Sequence, residues 1–324
     1  MDKLLIGLGA MKSATTWLTG NLNRSPQVFV PPVKEIHYFH GTARNPDALG
    51  MYQRLWRQKN RLAGRGRACG HFLSQRYRQD RALRFMDHIA GGFDKLDPAL
   101  AHTRLMDISD RAKWFRSYLS APVDDAWYRS LFPADGEDIW SLDFSNTTCL
   151  LKPRDLERAA NMAATTRAIM ILRNPYDRLW SHVRFNAQVR GETDLIETYG
   201  PKQLHGYVRT HGLIRHSLYH NALRRALDVF GKDRLMVINF DDIARRPVVQ
   251  ILAVQEFLGI DRIPGAIMAR EKRNVSTAHA MPPNLFARHR ALFAKDLAGV
   301  AKLGYGFVES WADGPTEVAA EPST

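Results

Sequence analysis

An α/β fold with a central parallel β-sheet flanked by helices is predicted from three features of the 324-residue chain. Short apolar runs of buried-strand type alternate with longer amphipathic segments, the pattern of successive βαβ units. Two of these runs, Lys3 to Leu8 and Arg167 to Arg173, lead straight into helix-start signals. No linker of biased composition divides the chain. We therefore expect one domain over residues 1–308, with a helix-rich basic insertion at 41–135 and a loose acidic tail at 309–324.

The elements follow in order. Lys3 to Leu8 is the first strand and Thr15 to Leu22 the first helix. Gln27 to Val30 is a second short strand, closed by Pro31 and Pro32. Trp140 to Phe144 reads as a strand and Pro153 to Ala164 as a helix. After Arg173, Asn174 and Pro175 supply an N-cap and a first-turn proline for the next helix. Leu213 to Phe230 has the spacing of one long amphipathic helix ending at Gly231. Arg234 to Phe240 is a strand, Pro247 to Leu258 a helix ending at Gly259, and Asn284 to Leu303 a last helix before Gly304.

Composition narrows the function. The chain is 45% hydrophobic and 24% charged, which excludes a disordered or fibrous protein. It lacks the run of about eighteen apolar residues that a membrane-spanning helix needs. Leu4 to Met11 is too short and too glycine-rich for a signal peptide and is followed by Lys12. Two cysteines, Cys69 and Cys149, are too few for a disulfide scaffold. The expected location is the cytoplasm. A net charge of +13 favours a negatively charged partner. Ten Lys or Arg fall between Arg54 and Arg84 against one acid, Asp80, and such a run most often forms a solvated helical face or an oligomer contact.

The first strand runs into Gly7-Leu8-Gly9-Ala10-Met11-Lys12-Ser13-Ala14-Thr15-Thr16-Trp17. At such a strand–helix junction, backbone N–H groups and the helix dipole favour an anion, and a lysine adds charge. An ATPase loop needs glycines six residues and one residue before its lysine; Ile6 and Met11 stand there. A dinucleotide fingerprint needs Gly or Ala where Lys12 stands. The remaining pattern, Lys-Ser-Ala-Thr-Thr-Trp, resembles the 5′-phosphosulfate loop of sulfotransferases that use 3′-phosphoadenosine 5′-phosphosulfate (PAPS). Ala14 replaces the usual glycine, a substitution that is mild where φ is negative.

A second segment, Arg173-Asn-Pro-Tyr-Asp-Arg-Leu-Trp-Ser181, is similar to the 3′-phosphate motif of the same superfamily. An arginine ending a parallel strand presents a planar fork to a phosphate where open sheets bind ligands. The serine eight residues later adds a hydroxyl. The resemblance covers residues 3–40 and about 139–305 and implies a P-loop-like sheet, with Lys12, Ser13, Ala14, Thr15, Thr16, Trp17, Arg173 and Ser181 holding the donor. Lys272 and Arg273 lie where relatives place a late loop over the nucleotide.

The segment Lys34-Glu35-Ile36-His37-Tyr38-Phe39 resembles the Lys-Glu-x-His-x-Phe stretch of the heparan and carbohydrate branch. There the glutamate is taken as the base. Read as extended, Val33, Glu35, His37 and Phe39 share one face, and Glu35 and His37 point together into a cleft. In-line sulfuryl transfer needs a base on the acceptor and positive charge on the leaving oxygen. The resemblance implies Glu35 as base with His37 orienting it or replacing it, and Lys12 as electrostatic catalyst. Lys34, Asp143 and Ser145 fall on the acceptor side. PAPS would be the co-substrate and the adenosine bisphosphate its product, with no metal required. The acceptor is a hydroxyl or amine, and glycan, lipid head group and small molecule all stay open, as does the oligomeric state. Two rival readings are a divergent P-loop kinase and a non-catalytic polyanion or nucleic-acid binder. The latter would use the basic stretch and its Trp56, Phe72 and Tyr77; the resemblance itself implies no nucleic-acid partner.

Overall fold

The structure, a computed structural model, describes residues 1–44, 46–50, 53–54, 108–133, 138–263, 281 and 287–315. Five parallel strands form the sheet: β1 (Lys3–Gly9), β2 (Val28–Phe29), β3 (Trp140–Asp143), β4 (Thr165–Leu172) and β5 (Leu235–Asn239). Their spatial order is β2-β3-β1-β4-β5, with β1 in the centre. Leu5 pairs with Leu142 on one side and Arg167 on the other. Because every pair is parallel, all five carboxyl ends open on one edge.

Both faces of the sheet are covered, which explains the unbroken apolar spelling of β1 and β4. Leu4, Ile6 and Leu8 of β1 and Ala168, Met170 and Leu172 of β4 enter one core. Leu5, Ile169 and Ile171 enter the other. The first core is closed by helices α2 (Tyr38–Arg44), α3 (Ile108–Leu119), α4 (Asp125–Ser130), α5 (Pro153–Ala160), α9 (His220–Arg234) and α12 (Arg290–Lys302). The second is closed by α1 (Thr15–Leu22) and α11 (Pro247–Leu258). A third cluster joins α6 (Pro175–Arg190), α7 (Leu195–Thr198) and α8 (Pro201–Thr210). The short α10 (Phe240–Arg245) follows β5 directly. Among the described residues no helix is long and apolar enough to cross a membrane.

The glycines around the first turn have packing reasons. A Cβ on Gly7 would stand 2.0 Å from the Phe144 ring, and Gly9 has φ of 121°. The pair therefore fits strand packing and a turn, with no fingerprint role required.

Three expectations need correction. The helix predicted over Leu213 to Phe230 is split into a 3₁₀ turn at Leu213–Ser217 and α9, whose helical backbone breaks at Gly231 (φ 67°, ψ 178°), the residue expected to end it. The split is built by hydrogen bonds. Ser217 donates to the Pro175 carbonyl at 3.0 Å, and the Asp296 carboxylate accepts from Tyr219 N–H at 2.6 Å and His220 N–H at 3.2 Å at the start of α9. The tail is not loose from residue 309: Gly306–Trp311 forms a 3₁₀ turn, and Trp311 is buried in the first core. Arg54 does not lie on a solvated face. It is buried between Tyr118 and Trp127 and donates to the carbonyls of Tyr118 and Ser120. Residues 55–84 of the basic stretch lie outside the described residues.

Candidate functional site

Four of the five strands deliver functional side chains to the carboxyl edge. The turn after β1 carries Lys12 to Thr16, and the loop after β2 carries Lys34, Glu35 and His37. The turn after β3 carries Ser145, Asn146 and Thr147, and Arg173 directly follows β4. The expected residues thus meet through topology, although they lie up to 161 positions apart.

The first turn is held in an uncommon backbone shape. Lys12 has φ of 68° and Ala14 φ of 56°. The expectation that alanine is mild at position 14 therefore fails, because left-handed backbone suits glycine. Thr15 begins α1, and Leu18 N–H donates to the Ala14 carbonyl at 3.1 Å. The Ser13 hydroxyl is buried with no partner among the described residues, an unsatisfied polar group within the first turn.

Positive charge gathers here. Burial, then Arg173, Arg184, Lys34 and Arg178 in that order, push the Lys12 ammonium down to about 8. Its Nζ sits 4.4 Å from the centroid of the Phe185 ring, a cation–π contact. Ser181 lies one turn before Phe185 on the same face of α6 and is buried. Arg173 donates to the Lys12 carbonyl at 3.0 Å and stacks 4.5 Å from the Phe240 ring centroid. The residues of the two phosphate-type motifs are therefore direct neighbours.

Arg178, which sequence reasoning passed over, supports the whole turn. It is fully buried and donates to Ser217 Oγ at 2.6 Å, the Leu213 carbonyl at 2.9 Å and the Met11 carbonyl at 3.4 Å. Its Nη1 lies 3.1 Å from His182 Nδ1. A guanidinium has only donors, so Nδ1 must accept and His182 is neutral; burial and Arg178 depress its pKa to about 2. Burial also lowers Arg178 to about 10.

Lys34 links this turn to the proposed reacting pair. Its Nζ donates to Thr16 Oγ1 at 3.0 Å and Thr15 Oγ1 at 3.3 Å, and lies 3.9 Å from Glu35 Oε1. Glu35 Oε2 is 3.3 Å from His37 Nε2, and Oε1 accepts from Asn146 Nδ2 at 2.5 Å. His37 Nδ1 is 2.9 Å from Thr147 Oγ1. The pair forms as expected, but not through an extended segment. Glu35 has φ of 65° and His37 φ of 58°, and Val33 and Phe39, expected on the same face, are buried in the core.

Asp143 and Ser145, expected on the acceptor side, are both buried. Tyr128 donates to Asp143 at 3.0 Å, Ser145 Oγ donates to Asp143 at 2.6 Å, and Ser145 Oγ accepts from His37 N–H at 2.9 Å. Burial raises the Asp143 pKa. The two residues thus hold the left-handed backbone at His37. Asn146 and Thr147 were also missed, because a single polar residue after a strand has no spacing signal. Lys272 and Arg273 lie outside the described residues. Among the described residues no group of three or more His, Cys, Asp or Glu is arranged to hold a metal.

An open parallel sheet with a lysine-bearing turn after its central strand defines an α/β protein of P-loop-like architecture. Residues 2–273 match the family described as the sulfotransferase domain, and the chain belongs to that family, whose chemistry is sulfuryl transfer. No curated protein matches the sequence. The fold is similar to a sulfotransferase from Alicyclobacillus acidocaldarius, at 23% identity and TM-score 0.54, covering 96% of this chain and 98% of that one. A second similar structure is the sulfotransferase domain of the Synechococcus PCC 7002 olefin synthase, at 14% identity and TM-score 0.48, covering 99% and 90%.

Ala14 generates a stability test. Ala14→Gly is expected to raise the unfolding free energy by about 0.5 to 1 kcal/mol, the left-handed strain less the added entropy of the unfolded chain. A lower denaturation midpoint in urea would contradict the strained conformation.

Proposed function

We propose that this chain transfers the sulfuryl group of PAPS to a hydroxyl- or amine-bearing acceptor, by chemistry of the heparan and carbohydrate type. The observation that carries the reading is the Lys34 bridge, which sets Glu35 3.9 Å from an ammonium that also bonds the Thr15 and Thr16 hydroxyls. A base is thus held beside an anion-receptive turn. The orphan Ser13 hydroxyl and the cations around Lys12 fit a 5′-phosphosulfate, and Arg173 and Ser181 fit a 3′-phosphate.

In this reading Lys12 and the Ser13 to Thr16 N–H groups hold the 5′-phosphosulfate. Glu35 takes the acceptor's proton as its oxygen attacks sulfur. The bond from sulfur to the bridging oxygen breaks, and Lys12 neutralises the charge that develops on the departing adenosine 3′,5′-bisphosphate. Asn146 and His37 fix the Glu35 carboxylate, so its orientation is set before the acceptor arrives.

Two measurements test the assignment. Glu35→Gln is expected to keep bisphosphate affinity and lose turnover by about 10²-fold or more; full turnover would move the base to His37. The second concerns pH. Lys12 starts near 8 and a bound phosphate raises it, so binding takes up a proton above that pH. Bisphosphate affinity should decline as pH rises through about 8 to 10. Calorimetry in buffers of different ionisation enthalpy should show proton uptake that disappears in Lys12→Met. A flat affinity across that range would remove Lys12 from the phosphate.

A further inference from the structure

Residues 306–314 lie beyond the family match, which ends at residue 273, yet they bond to the turns that follow both β4 and β5. Trp311 is 1% exposed, and its indole N–H donates to Asp241 Oδ2 at 3.0 Å. Asp241 is the second residue of α10, directly after Phe240, the ring on which the Arg173 guanidinium stacks. Three residues further on, the Gly314 carbonyl accepts from Asn174 Nδ2 at 2.8 Å. Asn174 directly follows Arg173 and caps α6, its Oδ1 accepting from Tyr176 N–H at 3.0 Å.

The two contacts stitch the carboxyl ends of neighbouring strands together with Arg173 between them. The Arg173 carbonyl is itself tied down, accepting from Tyr219 OH at 2.7 Å. The Trp311 ring packs against Phe307 at 5.5 Å between centroids, nearly perpendicular, so the segment is anchored by its own aromatic pair and is not a frayed end.

We propose that residues 306–314 act as a positioning strap for the nucleotide's 3′-phosphate: by fixing Asp241 and Asn174 they hold the Arg173 fork ready between β4 and β5. The proposal rests on the 3′-phosphate role assigned to Arg173 above. A fork held in place loses less freedom on binding than one that must be ordered by the ligand. The strap therefore favours nucleotides that carry a 3′-phosphate and is indifferent to those that lack one. Trp311 and Gly314 are positioning residues, since neither touches the ligand.

The test is calorimetric titration of the full chain with adenosine 3′,5′-bisphosphate and with adenosine 5′-phosphate. Trp311→Phe keeps the packing and loses the hydrogen bond. It is expected to weaken bisphosphate binding about fivefold, the equivalent of one lost hydrogen bond, and to leave 5′-phosphate binding unchanged. A chain ending after Ala312, which keeps the indole and loses the Gly314 carbonyl, should narrow the same ratio. Equal losses for both nucleotides, or an unchanged ratio in folded variants, would overturn the strap. A wild-type chain that binds both nucleotides equally would instead overturn the 3′-phosphate role of Arg173, a separate failure.

Discussion

The site depends on one constraint: several cations are held together at the carboxyl edge of a parallel sheet where burial and mutual repulsion disfavour them. Lys12 feels Arg173, Arg184, Lys34 and Arg178, and its pKa falls accordingly. Arg178 has no exposure at all, and the partners that bond it are carbonyls, a hydroxyl and a neutral imidazole. Desolvated positive charge of this kind is stable when dipoles satisfy every donor and becomes favourable when an anion arrives. The protein therefore stores an attraction for negative charge in the packing of α6 against the first turn.

The backbone carries a second part of the design. Lys12, Ala14, Glu35 and His37 all have left-handed φ, although none is glycine. Strained residues persist only where surrounding contacts over-determine them, and those contacts are visible here. Arg178 and Arg173 hold the carbonyls of Met11 and Lys12. The Tyr128–Asp143–Ser145 chain holds the N–H of His37. The reacting groups are thus placed by the turns that follow β1 and β3, the strands at the centre of the sheet.

The sequence made the parallel sheet, the helix starts and the pairing of Glu35 with His37 legible, because buried strands, N-caps and short motifs leave local spelling. Thr15–Leu22 and Pro247–Leu258 fall where expected for that reason. What escaped was set by contacts distant in sequence. Asp296 holds the start of α9 from across the fold, so the helix expected from Leu213 begins only at His220, and Trp311 docks a segment whose composition reads as disordered. Arg54 is buried by aromatic rings that no local pattern announces. The sign of φ at Ala14 depends on the turn's tertiary anchors, so its residue type alone pointed the wrong way.

A crystal structure of the chain with adenosine 3′,5′-bisphosphate tests the central claim most directly. The account predicts the 5′-phosphate within hydrogen-bond reach of Lys12 Nζ, the Ser13 hydroxyl and the N–H groups of Ser13 to Thr16, with the 3′-phosphate on Arg173 and Ser181. Lys12 should have left the face of Phe185 to meet it. A nucleotide bound away from this edge, or bound here with Lys12 still stacked on Phe185, would contradict the account.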